Sequence, residues 1–565
     1  MLFHTIPEIL SYAKKTYGAD DAIRWKKSKN EIESRTYSEL KDDTDSFANA
    51  IEKLGKKGQH IAVIGSSSYE WIVSYLAITE SGSVAVPIDA SLPAADICEL
   101  LERADVRMLI FDEARSDVAE LAAKSCHDIN VYVSMNRTEH CPHELSFNGL
   151  IEDNRGGYEP AVAEDALCTI MFTSGTTGKS KGVMLTQNNL AENATCLDMK
   201  IAPHTVILSV LPIHHAYCLS MDILKGISLG SVICINDSIM RMAKNIQLFT
   251  PDMILMVPLM IETFARKLEE VRAAGLPAEP VRKKIFGERL NTICSGGAYL
   301  NPDYVDLFAE FGITILQGYG MTECSPVIST NLSWDIRKNS VGKLMPNCEA
   351  KTVDGELLVR GTSVMQGYYK MPKETEETLS DGWLHTGDLG YVDEDGYIYL
   401  TGRRKNLIIT KNGENVSPEE LENVLSVNHL IKEIIVRESE GVIEAEIFPD
   451  REYAENAGIA QIYGDLFVLE HTAYAEADGH SIAGTGRAHR GRHGVAHAVL
   501  AMYRDGRGVL LAILQISGGL GTGSAGFLGN IVHQIMHMQH IACGKHAGDA
   551  GLQAFVDQRP AGDGA

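Results

Sequence analysis

Residues 172–183 read FTSGTTGKSKGV, twelve positions holding three glycines, three threonines, two serines and two lysines. Glycines let backbone N–H groups close on phosphate oxygens, and hydroxyls add further donors. The stretch reads as a phosphate loop, and the kind of phosphate enzyme it serves decides the fold. Its ending, Gly178-Lys179-Ser180, invites the P-loop pattern G-x-x-x-x-G-K-[ST]. That pattern needs glycine at position 173, which is Thr173 here. Taken alone, the stretch reads equally well as a flexible solvated loop.

The flanks on both sides alternate in type. TYSELKDDTDSFANAIEKLG (36–55) has helical spacing, with Leu40, Phe47, Ile51 and Leu54 as its apolar stripe. IAVIG (61–65) is short, β-branched and closed by glycine, which predicts a buried strand. YEWIVSYLAITESG returns to a helix ended by Gly82, followed by SVAVPI, a helix over 93–104, and VRMLIF. After the loop's lead-in strand CTIMF, a helix is expected from about Gln187 with Thr186 as its cap. NTIC leads into SGGAYL, and ITILQ into GYGMTE. Strands alternating with helices predict a parallel or mixed α/β sheet, and such sheets bind ligands at the strands' C-terminal ends. From 340 to 400 the texture changes to GELLVRG, GWLHTGDLG and DGYIYLTG, short strands of a smaller β-rich unit. KNLIITKNGENV predicts a hairpin about Asn412-Gly413. SPEELENVL predicts a helix capped by Ser417, with Pro418 first and Glu420 closing a capping box.

Four stretches carry the chemistry. The first is the loop itself. In GYGMTE, Glu323 suits Mg²⁺ bridging ATP phosphates, and Tyr319 offers a flat face to a base. In HTGD (385–388) and TGRRKN (401–406), an aspartate and an arginine suit ribose hydroxyls. Singly, each is equally a core tyrosine, a surface glutamate or an ordinary turn residue. Taken in order, FTSGTTGKSKGV, LPIHHAY, SGGAYL, QGYGMTE, GELLVRG, GWLHTGD and TGRRKNLIITKNGENVSPEELE resemble the core motifs of the adenylate-forming superfamily over about residues 1–463. By this resemblance the opening stretch is that family's phosphate loop. A P-loop NTPase would have glycine at 173 and no ribose-binding pair downstream.

The resemblance implies an α/β fold with a large multi-sheet domain over 1–404 that includes a β-rich subdomain. A small α+β swinging domain begins at 405–463. It implies ATP-dependent conversion of a carboxylic acid to an acyl-adenylate, then to a coenzyme A thioester, with loss of pyrophosphate and AMP. Thr173, Ser174, Gly175, Thr176, Thr177, Gly178 and Lys181 are implied to surround the β- and γ-phosphates. Thr322 is implied to meet the α-phosphate, and Glu323, with Thr173, the magnesium. Gly296, Gly297, Ala298, Tyr319 and Gly320 are implied to line the adenine site, and Asp388 and Arg403 to hold the ribose. His215, or adjacent His214, stands near the substrate carboxylate or thioester path; a buried, satisfied histidine is the plain alternative. Lys405 is the implied hinge, and Gly413 lies in the hairpin along the pantetheine tunnel. The strand-loop 295–329 is most similar to long-chain fatty acid–CoA ligases, with acyl carrier protein synthetases close by, so fatty acid, coenzyme A and carrier protein are the implied partners.

Composition is that of a soluble globular protein. The chain has 565 residues, 45% hydrophobic and 22% charged, with a formal net charge of −24. That acidity disfavours loose binding to nucleic acid or anionic membrane. Eleven cysteines without a C-x-x-C pair predict free thiols in a reducing, cytoplasmic setting. No 18-residue apolar stretch predicts a membrane span.

Past about residue 463 the resemblance stops. Residues 464–565 hold 19 of the 51 glycines and 9 of the 19 histidines, but a single lysine, Lys545. The family uses a late lysine in the small domain to bridge carboxylate and α-phosphate. Gly544-Lys545 lacks its P-x4-G-K-like context and is not assigned the role. His489/His493/His497 and His533/His537/His540 have i, i+4 spacing, but Gly491 and Gly494 work against a helix in the first row. The tail is expected to be foreign to the small domain and loosely packed, leaving an ATP- and acyl-AMP-binding chain that adenylates poorly.

Overall fold

The structure is a computed structural model and describes residues 1–28, 31–173, 180–409, 415–426, 431–439, 442–450, 497–504 and 510–517. The chain divides into two compact units, Met1–Leu400 and Thr401–Ala565.

The first unit is built on two large mixed sheets and one smaller antiparallel sheet. In the eight-stranded sheet, His60–Ile64, Val84–Ile88, Val106–Phe111, Val131–Ser134 and Leu145–Ser146 run parallel. Alternation along His60–Ile64 sorts its side chains between two cores. Ile61 and Val63 join the larger cluster with Trp71, Tyr75 and Leu76 of the helix Tyr69–Glu80. Ala62 and Ile64 join the smaller one, under the helices Ala94–Arg103 and Ser116–Ser125. Tyr69–Glu80 is apolar nearly all round and buried at every residue except Glu70, as expected of a helix packed between layers. Each large side chain buried there contributes about 1.5–3 kcal/mol. Helix Tyr37–Lys53 begins at a Thr36–Glu39 capping box and buries Leu40, Phe47 and Ile51 completely.

The nine-stranded sheet places Val206–Ser209, Val232–Ile235, Met253–Met256, Thr292–Ser295 and Thr314–Gly320 in parallel register. Their C-terminal ends therefore share one edge. The smaller sheet contains Glu356–Gly361 and Trp383–Val392, the β-rich unit expected from the glycine-punctuated texture.

Two elements differ from the sequence reading. Lys181–Thr186 is a strand, paired antiparallel with Leu167–Thr173, so a second strand precedes the expected helix. Helix Gln187–Thr195 follows with its Thr186 cap as expected. His385–Asp388 lie inside the ten-residue strand Trp383–Val392, where Gly387 at φ +71° bends the chain, not after a turn.

In the second unit, Ile408–Ile409 and Asn415–Val416 pair antiparallel as the hairpin reading requires; its turn, with Gly413, lies outside the described residues. The Glu420 N–H donates to Ser417 Oγ at the start of helix Pro418–Ser426. Ile431–Ser439 and Val442–Pro449 form a sheet with two tail strands, His497–Arg504 and Leu510–Ser517. These two segments of the tail are joined by ladder pairing. His497 opens a strand, so the helical histidine spacing does not reach it. His489, His493, His533, His537, His540 and Lys545 lie outside the described residues. Among the described residues all ten cysteines are free, and no helix is long and apolar enough to cross a membrane.

Candidate active site

The phosphate loop proper, Ser174 to Gly178, lies outside the described residues; its two shoulders are described. Thr173 and Lys181 are direct partners across the hairpin. Arg103 holds both shoulders, stacking over the Phe172 ring at 5.6 Å and donating to the Ser180 carbonyl.

Lys181 points its Nζ at the Tyr368 ring, 4.4 Å from the centroid. The Tyr368 hydroxyl donates to Glu323 Oε1 at 2.8 Å. Tyr368 belongs to the short strand Gly367–Tyr368 that pairs with Val183 and Met184, so the sheet itself delivers the ring between lysine and carboxylate. Desolvation, then the Glu323 charge, push its phenol well above the usual tyrosine range, and it stays a donor. Glu323 is 9% exposed, and its carbonyl accepts from the Met365 N–H. One buried carboxylate suits Mg²⁺, which keeps waters and substrate phosphates as its other ligands. Among the described residues no cluster of three metal-ligating side chains exists, so an all-protein metal cage is absent there.

Beside Glu323, the strand Thr314–Gly320 brings Tyr319 to its end. The Tyr319 hydroxyl donates to Asp388 Oδ2, linking the implied adenine and ribose positions. Asp388 is fixed from below. Its N–H donates to Thr386 Oγ1 at 3.0 Å, the Thr386 hydroxyl to the Leu357 carbonyl at 2.7 Å, and the Gly387 N–H to Glu356 Oε1 at 3.0 Å. Gly320 has no room for a side chain: a Cβ there would stand 2.0 Å from the Pro326 carbonyl oxygen. Gly296 is similarly pressed by Tyr217, whose ring would meet its Cβ at 3.2 Å.

A cavity of about 520 Å³ opens among these residues. Thr322, Gly296, Gly297, Tyr319, Gly320 and His215 all line it. Much of the remaining wall is aliphatic, including Ile207, Leu229, Met253 and Met260. The adjacent histidines are thereby distinguished. His215 faces the cavity, whereas His214 turns toward Asp89, 3.8 Å away. Burial lowers the pKa of both, and His214, also beside His215, is pushed down to about 4, so both rings are neutral at pH 7.

Arg403 and Lys405 are exposed in the second unit, at the end of strand Ile398–Arg403 and in the turn Arg404–Asn406. Ala298 follows Gly297 in the loop after Thr292–Ser295.

Tyr368, Tyr217, Arg103 and Thr386 are the site residues that sequence reading missed. Tyr217 stood inside the quoted LPIHHAY, and its aromatic ring at a helix start was the available signal. Tyr368 and Arg103 carry no local signature, because only sheet pairing brings them in.

The AMP-binding enzyme family profile matches residues 11–369. A 4-coumarate–CoA ligase-like protein of Oryza sativa subsp. japonica is 31% identical over 463 residues, covering 74% of this chain and 78% of that one. A long-chain-fatty-acid–CoA ligase of Salmonella typhimurium is 26% identical, covering 76% and 82%. The solved o-succinylbenzoate CoA synthetase of Bacillus subtilis, in complex with its acyl-adenylate intermediate, superposes with a TM-score of 0.65 at 25% identity, covering 80% of this chain and 91% of that one. A family match over more than half the chain, on the motifs that build this cavity, makes the protein a member of the AMP-binding enzyme family.

Proposed function

We propose that the protein activates a carboxylic acid of the fatty-acid class with ATP and transfers the acyl group to coenzyme A. The observation that carries this reading is the aliphatic cavity ending at Thr322, Gly296 and Tyr319. An acid lying in it presents its carboxylate beside the nucleotide positions. A carboxylate oxygen attacks the α-phosphorus, and the bond to pyrophosphate breaks. The thiol sulfur of coenzyme A then attacks the acyl carbon, the C–O bond to AMP breaks, and the thiol proton is released.

The chain's own residues supply position and charge for both displacements. Lys181 brings a cation to the phosphate end. Glu323, held by Tyr368, offers an oxygen ligand to Mg²⁺, which neutralises phosphate charge when bound. The Tyr319–Asp388 pair orients the nucleoside. Neutral His215 offers a ring nitrogen to the carboxylate or thioester without a competing charge. Lys405 serves as the hinge between the two half-reactions, with Arg403 and Gly413 in their ribose and pantetheine roles.

Relatives named for coumarate-, succinylbenzoate- and long-chain-fatty-acid–CoA ligation share the scaffold, and the aliphatic wall favours the last of these chemistries. A second reading, an ATP- and acyl-adenylate-binding protein with weak turnover, is favoured by one feature: Lys545, the single lysine after residue 464, lacks the family's context.

The test is turnover of the full chain with ATP, Mg²⁺ and a panel of acids, offering coenzyme A or a phosphopantetheinylated carrier protein. Pyrophosphate release and thioester mass are the readouts. Thioester on coenzyme A supports the proposal, and thioester on the carrier alone changes the acceptor. Adenylate binding without pyrophosphate release selects the second reading.

A further inference from the structure

Lys225 occupies a place where lysine is costly. It lies on the helical run formed by Cys218–Leu224 and Lys225–Leu229, is 5% exposed, and lines the cavity beside Leu229 and Gly226. Its Nζ donates to the carbonyls of Ala194 at 3.0 Å and Leu197 at 2.9 Å. An ammonium has three N–H donors, so one remains. Among the described residues no carboxylate pairs with it. Asp222, one turn earlier on the same run, accepts instead from Cys218 Sγ at 3.8 Å. Exposed Asp198 acts only through space. The nearby thiols stay protonated, Cys294 pushed up to about 12 and Cys196 to about 11. Desolvation pushes Lys225 down to about 8, which leaves it mostly cationic at neutral pH. A buried cation without a counter-ion is expensive, and carbonyl dipoles offset only part of that cost.

The topology sets this cation away from the reacting end. Tyr217 packs on Gly296 at the C-terminal edge of the parallel strands. From there the helical run carries the chain back to Val232, which enters the sheet beside Val206 at the opposite edge. Lys225 lies eight residues beyond Tyr217, past the π-helical stretch Cys218–Leu224. The cavity therefore runs from Thr322 and Gly296 through an aliphatic middle to Lys225, whose Nζ is held at the Ala194 and Leu197 carbonyls.

We infer that this cavity takes a medium-length α,ω-dicarboxylic acid, one carboxylate at the nucleotide end and the other paired with the Lys225 ammonium. The inference rests on the acid-binding reading of the cavity and narrows its substrate class. A methyl-ended chain of equal length leaves the cation unpaired, whereas a terminal carboxylate gives it a charge-assisted hydrogen bond. The preference reads as about tenfold or more in affinity.

The test is calorimetric titration of the full chain with sebacate and with decanoate, which differ only at the far end. Sebacate is expected to bind about tenfold or more tighter. Lys225→Met, which keeps the stem and removes the charge, should abolish that preference, with its thermal midpoint by circular dichroism confirming the fold. Equal or tighter binding of decanoate to the unaltered protein overturns the inference and leaves the acid-binding reading standing; this comparison needs no variant. A preference for sebacate that survives in Lys225→Met removes the role from Lys225. Binding of neither acid overturns both readings.

Discussion

Glu323 owes its usefulness to what touches it. A carboxylate at 9% exposure is held in one orientation by the Tyr368 hydroxyl, and Tyr368 in turn carries Lys181 over its ring. Glu323→Ala should lower ATP–pyrophosphate exchange by about 10²-fold or more, with the thermal midpoint little changed. Tyr368→Phe keeps the ring and its cation contact but releases the carboxylate. Exchange should fall about tenfold and recover in part at raised Mg²⁺. A Mg²⁺ titration of Tyr368→Phe that matches the unaltered protein would remove Tyr368 from this role. Glu323 was singled out in the sequence because GYGMTE is a local signature. Tyr368 stands 45 positions away, and no spacing rule joins the two.

The helical run behind the cavity carries a second buried ionisable group. Asp222 is fully buried, and desolvation pushes its carboxyl up to about 7. The folded protein thus keeps a proton that the unfolded chain releases near pH 4. Stability from this group is complete below that point and is lost as pH rises through about 7, at up to about 1.4 kcal/mol per pH unit. Asparagine cannot ionise. Asp222→Asn should therefore be more stable than the unaltered protein at pH 8 by about 2–4 kcal/mol, and near parity at pH 4. Urea unfolding at the two pH values measures this; an equal difference at both would rule out ionisation as its cause. The face that Asp222 and Lys225 occupy was not readable from the sequence, because helical spacing alone does not say which neighbours close over each side.

For the whole molecule, the expected behaviour is set by the passage from one compact unit to the next, between Leu400 and Thr401. Lys405, four residues past Thr401, sits in the short turn Arg404–Asn406. Proline restricts φ, so Lys405→Pro should separate the half-reactions. Thioester formation should fall at least about tenfold while pyrophosphate exchange is largely kept. Single-turnover assays of each step decide it, and equal loss in both argues against a hinge at this position.

Local chemistry was written in the sequence. The glycine-hydroxyl loop, the Thr186 cap, the β-branched strands and the order of the motifs depend on near neighbours and survive without coordinates. The Lys181–Thr186 strand was hidden because a hairpin's second arm is defined by its partner, and six residues of mixed type satisfy several patterns. The choice of His215 over His214 required knowing which ring faces the cavity and which faces Asp89. Tyr368 against Glu323, Tyr217 against Gly296, and a cation at the far end of an aliphatic cavity exist only once distant segments are packed. Those contacts set position, desolvation and charge, which depend on three-dimensional distance and not on separation along the chain.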